Sequence, residues 1–552
     1  MLTPDQLKAA ATVLQPLFEQ YEDFVIADIA RRIAGAGQMT PTAELQLAAG
    51  AGTGVSLNAI ISELQKTLDL SDKELARLFN KMGVTGLLQT NERLTAAGLN
   101  PVKIEKLPEL QRIVRECIVQ TRGVLHNFSN SMGFAKQTAN GVKFMKPAAY
   151  YQDAVDLAML KVRTGAADYN SAIKTAIKDL ARSGVQIVDY KTGYHCGIDV
   201  AVRRSVLTGL NQMATLETLE LNKELDTDLV EVTAHEGARP SHKEWQGKVY
   251  KLHGASRKYR NLAEATGYGT AGGLKGAYCR HSFYPYVEGM PRTWTDEQLR
   301  NIDPPDFVYE GQRYSHYEAT QKQRAMERRV RQIKRELIGY ESSGLEDAFS
   351  EASARLREAR DNYKDFSKAA NIRPKNDRSQ VYGFGRGIAM EATAAGKEYI
   401  SEFEKVTRMR YTKVRPEDRK PLFKYMQDYP ESNPKYYYVD KELKVMGIKK
   451  GTAMAPQDRQ AFIMPSGKKD PYHVMERMLE RGITDDDMRR FIGDASCMFE
   501  QWNGQRYLYC SEKGSVLIWK QGEDWIFKTT WDKTDFDEDA EKILEVIKKY
   551  GL

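Results

Sequence analysis

Near the C-terminus, His473, Arg477 and Arg481 stand at i, i+4 and i+8, a spacing that puts all three on one face of a helix. Val474, Met475, Met478 and Leu479 fall on the other side and are expected in a core. The run Lys528-Thr529-Thr530-Trp531 closes a strand-like segment, so Lys528 and Thr530 are candidates for the same cleft. A histidine, two arginines and a Lys/Thr strand end supply what metal-free RNA cleavage needs. One group takes the ribose 2′-OH proton, cations hold the pentavalent phosphate, and an acid protonates the leaving 5′ oxygen. On spacing alone, an ordinary basic helix face with one incidental histidine is the better reading.

A second concentration lies in residues 228–295, where periodicity collapses and four of the eight histidines fall between His235 and His281. His235, His242, Cys279 and His281 are zinc-ligating types, but H-x6-H and C-x-H lie outside the usual structural-zinc spacings. C-x-H is read as turning its two side chains to opposite sides of a strand. The expectation is therefore histidines bonded to backbone in a loop-rich fold, with the metal left unknown. The Gly-rich run GYGTAGGLKGAY lacks the G-x-x-x-x-G-K-[ST] pattern and reads as turns and close backbone contacts.

A third candidate is the basic run Lys322, Arg324, Arg328, Arg329, Arg331, Lys334 and Arg335, broken only by Glu327. Arg328, Arg329, Arg331, Lys334 and Arg335 could hold nucleic-acid phosphates. The alternative is a solvated helix face, or one paired with the acid-rich segment after Gly344.

The elements that must position these residues read as a multidomain, mainly α chain with an irregular α+β centre. Residues 1–225 are expected as a helical region, 226–300 as the His/Gly-rich region, and 301–405 as a helical hairpin turning near Ser342-Ser343-Gly344. Within the first region Ser71, with Glu74 as its capping-box partner, is expected to start a helix. Five prolines make 406–460 a linker, and 461–552 a small α+β domain ordered α-α-β-β-β-α.

Over 552 residues, 82 Lys+Arg against 75 Asp+Glu give a net charge of +7, and 41% of residues are hydrophobic. This is globular stock, neither disordered nor collagen-like. Five scattered cysteines without a CxxC pair argue against a disulfide framework. The uncharged run Leu45–Ser62 is too polar and short to span a bilayer, and no secretory signal is evident. A cytosolic protein, or one carried in something assembled in the cytosol, is expected.

The stretch DLVEVTAHEGARPSHKEWQGKVY, followed by GYGTAGGLKGAYCRHSFYPYVEG, resembles the tailed-phage minor capsid family labelled minor capsid protein two. GVQIVDYKTGYHCGIDVAVRRSVLTGLNQ and YEATQKQRAMERRVRQIKRE support it. The same centre is distantly similar to the Mu-type head morphogenesis domain through Arg239, His242, Trp245 and Gly247, then Cys279 and Arg280. The resemblance implies a low-copy virion component, inside the capsid or beside the portal, present in the host cytoplasm during assembly. Its partners would be portal and capsid proteins and packaged DNA, with no defined activity in residues 1–400.

DPYHVMERMLERGITDDDMRRFI and GSVLIWKQGEDWIFKTTWD are similar to phage-borne ribonucleases of the barnase/EndoU/colicin/RelE type. That similarity tips the balance toward RNA cleavage. It implies His473 as acid/base, Arg477 and Arg481 as phosphate clamps, Lys528 or Thr530 as a further polar partner, and no cofactor. The alternatives are a purely structural protein whose last domain docks on portal or scaffold, and an internal DNA-contacting protein.

Overall fold

The apolar periodicity of the first 130 residues folds as helices in a computed structural model. It describes residues 2–36, 51–138, 141–146, 149–150, 153, 169–188, 194–276, 279–457, 462–463 and 472–552. The chain divides into two units, Met1–Lys397 and Glu398–Leu552.

The first unit is mainly α, as expected. Its main helices are α1 (Pro4–Ala10), α2 (Gln15–Ala36), α3 (Ala51–Ala96), α4 (Glu109–His126), α5 (Tyr169–Ser183), α6 (Ile198–Glu224), α7 (His316–Ser342) and α8 (Glu346–Ala369), and α9 (Arg386–Thr407) includes the division between the units at Lys397 and Glu398. Phe18 and Tyr21 of α2, Leu75 and Phe79 of α3, Ile113 of α4, Leu210 and Met213 of α6, and Ile333 and Leu337 of α7 share one core. At the crossing of α6 with α4, a Cβ on Gly209 would come within 2.8 Å of the Phe79 ring and closer still to Thr121 Oγ1. Only glycine lets these backbones approach so near.

Helix α3 corrects one expectation. It runs unbroken through Ser71, whose hydroxyl donates to Leu68 O at 2.8 Å instead of capping a new helix. The buried stripe Leu64, Leu68, Leu75, Phe79 continues across that point, so packing overrides the local capping signal. Helices α7 and α8 form the expected hairpin, turning through Gly344 at φ +68°.

Small antiparallel sheets fill the gaps between helices. β1 (Met132–Thr138), β2 (Gly141–Met145), β3 (Gln186–Val188) and β4 (His195–Gly197) line up as β2-β1-β3-β4. β5 (Leu229–Val232), β6 (Val249–Lys251) and β7 (Phe283–Tyr286) line up as β6-β5-β7, and β8 (Phe307–Tyr309) pairs β9 (Gln312–Tyr314).

In the second unit, the described part of 406–460, residues 406–457, is not a linker. It folds as α10 (Pro416–Asp428), α11 (Pro434–Val445) and β10 (Thr452–Met454). Pro416 and Pro434 sit in the first turns of their helices, where a missing N–H costs nothing. After β11 (Phe462–Ile463) come α12 (Tyr472–Arg481), α13 (Asp485–Gly493), β12 (Cys497–Gln501), β13 (Arg506–Cys510), β14 (Gly514–Gln521), β15 (Asp524–Asp532) and α14 (Glu538–Lys549). The sheet runs β10-β12-β13-β14-β15-β11, antiparallel except for β11 beside β15. A boundary at 461 would therefore cut β10 from its own sheet. Strand β12 was missed because CMFEQ contains no β-branched residue.

Candidate functional site

Two features meet in the first unit. The first is the His/Cys cluster. His235 follows β5, and His242 sits on the one-turn helix Pro240–Lys243. Cys279 and His281 precede β7. Cys279 Sγ lies 3.5 Å from His281 Nδ1 and 3.9 Å from His242 Nδ1, with all three residues buried. The expectation that C-x-H would splay its side chains is thereby corrected, since residues two apart share a side of an extended chain.

Each of these two imidazoles is held by its other nitrogen. His242 Nε2 bonds Gly272 O at 3.0 Å, and His281 Nε2 bonds the Gln246 amide oxygen at 2.9 Å. Trp245 walls both rings, at centroid distances of 4.5 and 4.8 Å. Burial pushes the His281 and His242 imidazoles below their usual range, so both are neutral. The Gly-rich run supplies the Gly272 carbonyl. A Cβ on Gly276 would strike the Ala271 and Thr270 carbonyls, so this coil closes only with glycine. His235 stacks on His281 at 4.3 Å, but its Nδ1 faces Glu236 O at 2.8 Å and Arg280 at 3.1 Å.

The second feature is a cavity of about 1050 Å³ beside the cluster, reached through His235 and Arg280. Six cationic side chains line it (Lys8, Arg280, Arg324, Arg373, Lys375, Arg378) against three carboxylates (Asp5, Glu236, Glu297). Burial, together with Arg280, Lys375 and Arg378, pushes the Lys8 amine down to about 6. Burial and the neighbouring arginines lower Arg324 to about 10. Cations crowded this way favour an anion among them.

The basic run of α7 is split by the fold. Arg328 and Arg329 are exposed, whereas Arg331, Lys334 and Arg335 point inward, which corrects their assignment as nucleic-acid ligands. Arg331 pairs Glu19 at 3.3 Å and Asp199 at 2.9 Å, and Arg335 pairs Glu22. Lys334 bonds Ser379 O. The pairing acids come mostly from α2, not from the segment after Gly344.

The C-terminal candidates are divided by their sheet. Val474 of α12 packs with Ile518 and Phe527 on one face, which leaves Trp519 on the other by strand alternation. A bulge between Leu517 and Ile518 leaves Lys528 outside the pairing register, with its amine 5.0 Å over Trp519. Lys528 thus lies across the sheet from α12. Thr530 is fully buried and bonds Ser515 O at 3.2 Å. Arg481 is tied to Asp535 at 3.0 Å and to Thr530 O, and Arg477 to Glu480 at 2.7 Å. The side chain of His473 lies outside the described residues. Thr530 and Arg481 therefore hold structure rather than face a substrate, and the expected single cleft is not assembled from these positions. Met475 and Leu479, expected in the core, are 50% and 84% exposed.

Comparison with known proteins decides the identity of the first unit. The family described as phage minor capsid protein 2 matches residues 2–368. This chain belongs to that family. A structural protein of Lactococcus phage LL-H is 30% identical over 217 residues, 38% of this chain and 54% of that protein. A structural protein of Lactococcus phage mv4 is 33% identical over 91 residues, 16% of this chain and 66% of that protein. The chain thus spans about half the length of the first of these relatives. No solved structure matches. Among the described residues, no helix is long and apolar enough to cross a membrane.

In this minor capsid protein the motif residues Arg239, His242, Trp245, Gly247, Cys279 and Arg280 belong to the loop-rich centre around the His/Cys cluster and the cavity edge. Gln246, which orients His281, was one residue from a recognised position and could have been found. Lys8, Lys375 and Arg378 come from distant segments, and nothing local in the sequence joins them to Arg280.

Proposed function

We propose that this minor capsid protein is a low-copy virion component near the portal, acting in head assembly, and that its second unit is an RNA-cleaving effector working without metal. One observation supports the effector reading. The Arg506 guanidinium lies 3.6 Å over the Trp502 ring and 5.9 Å from Trp519, its partner across β13 and β14, and Lys528 lies over the same Trp519. Trp502 is 64% exposed. Aromatic rings interleaved with cations offer bases a stacking platform and phosphates a counter-charge. In this reading Arg506 and Lys528 anchor the RNA strand rather than clamp the scissile phosphate, because His473, kept as acid/base, is carried by α12 across the sheet from them.

The test incubates the full chain with total bacterial RNA in EDTA. Wild type cleaves, and Arg506→Ala combined with Lys528→Ala loses at least about tenfold, since each base stack or phosphate contact is worth ~1–3 kcal/mol. Loss in His473→Ala keeps that residue as acid/base, and full activity removes it from the role. A folded wild type that leaves every RNA intact overturns the effector reading. The second unit is then a docking module on portal or scaffold.

The cationic cavity favours a second reading, contact with packaged DNA through the first unit. Binding to DNA ends would weaken with salt by a slope of about −0.9 per phosphate engaged. Lys375→Ala with Arg378→Ala would lower that slope by about two. A slope unchanged by the pair removes the reading.

A further inference from the structure

We propose that His242, Cys279 and His281 are three ligands of a site for zinc or a closely related transition metal. The distances carry the argument first. Tetrahedral zinc with bonds of about 2.3 Å to sulfur and about 2.0–2.1 Å to nitrogen holds those donors about 3.6 Å apart. Cys279 Sγ stands 3.5 and 3.9 Å from the two Nδ1 atoms, and the three donor atoms lie within 4.8 Å of one another.

Proton bookkeeping separates this site from a hydrogen-bonded cluster. The Nε2 of His242 donates to the Gly272 carbonyl, and the Nε2 of His281 donates to the Gln246 amide oxygen. With the far nitrogens so engaged, both Nδ1 atoms turn to one sulfur, whose single S–H can donate to only one of them. A metal takes both lone pairs and the thiolate together, with the thiol proton released to solvent on binding.

Carbonyl and amide partners on the far ring nitrogens are the outer supports that orient metal-binding histidines. Two imidazoles and a thiolate suit zinc and not magnesium or calcium, which take oxygen donors. His235 is outside the ligand set: the donor atoms that lie within 4.8 Å of one another are those of His242, Cys279 and His281. The fourth position is left to water or another small ligand, as in zinc sites with three protein ligands.

The test uses the full chain, purified without a histidine tag and exchanged into metal-free buffer. Elemental analysis should find about one zinc per chain, or the same uptake when equimolar zinc is supplied. Cobalt should give tetrahedral d–d bands with a sulfur-to-cobalt charge-transfer band. Cys279→Ser should drop metal content at least about tenfold, as should His281→Asn, while Cys117→Ser retains it. Wild type with a native circular dichroism spectrum that takes up neither zinc nor cobalt overturns the proposal. So does Cys279→Ser retaining the metal. Where Cys279→Ser fails to fold, the wild-type stoichiometry and the cobalt spectrum decide.

Discussion

Arg335→Ala should cost the first unit about 3–5 kcal/mol of stability, the range for removing one partner of a buried ion pair. Its guanidinium pairs Glu22, a carboxylate whose side chain is 2% exposed, and lies 3.9 Å from Asp23. Glu22 also accepts from Val185 N at 2.7 Å, and Asp23 from Gly383 N at 2.9 Å. One arginine thus neutralises acids that position a strand and a loop as well. Burial raises the Glu22 carboxyl to about 7 even beside Arg335. Without the arginine the two acids must take up protons or stay charged in a dry interior. Urea unfolding followed by circular dichroism checks this, with exposed Arg328→Ala as the control, expected within about 0.5 kcal/mol of wild type. The double variant Glu22→Gln, Arg335→Met should recover much of the loss. A shift below about 1 kcal/mol for Arg335→Ala would mean water reaches the pair.

Glu217→Gln should stabilise the protein at pH 8 and change little at pH 4.5. Glu217 lies buried on α6, and its Oε1 has no hydrogen-bond partner. It fits because Gly86 of α3 lacks a Cβ, which would stand 2.7 Å from Oε2. Burial raises its carboxyl from 4.5 to about 7. The folded pKa exceeds the unfolded one, so the folded state binds more protons between pH 4.5 and 7, and stability falls as pH rises through that window. The full difference is about 3 kcal/mol above pH 7. Glutamine removes this slope. Lys275, lowered by burial to about 7, acts in the opposite sense and adds stability above pH 7; Glu217 is one of the charges that holds it up, so losing the carboxylate lowers it further and does not flatten its contribution. Urea midpoints at pH 4.5 and 8 measure the effect. An equal offset at both pH values would show that Glu217 is charged and solvated at each.

Much of the fold was legible because its signals are local. Helical periodicity gave the α character of the first unit, and the closing turn of the α7–α8 hairpin reads from Gly344. What failed was long-range. Ser71 carries a capping signature that burial overrides, and the prolines of 406–460 open helices instead of preventing them. Of the candidate sites, the His/Cys residues stood out in the sequence, but the convergence of His242, Cys279 and His281 was not foreseen. It depends on a chain reversal of 37 residues between His242 and Cys279. The inward turn of Arg331 and Arg335 was equally hidden, because the acids they meet lie some 130 to 313 residues away. At the C-terminus a single bulged position sends Lys528 and Thr530 to opposite sides of the sheet, which no pattern of residue types announces.

That separation of Glu22 from Arg335 has a temporal consequence. Ribosomes add about 5–20 residues per second, so helix α2 waits roughly 15–60 s before its arginine partners exist. Throughout that interval Glu19, Glu22 and Asp23 stand without their arginines, while the apolar stripe beside them already has α3, α4 and α6 to pack on. The first unit completes its core late in synthesis, and a ribosome stalled before residue 335 releases a chain for chaperones and proteases rather than for a capsid.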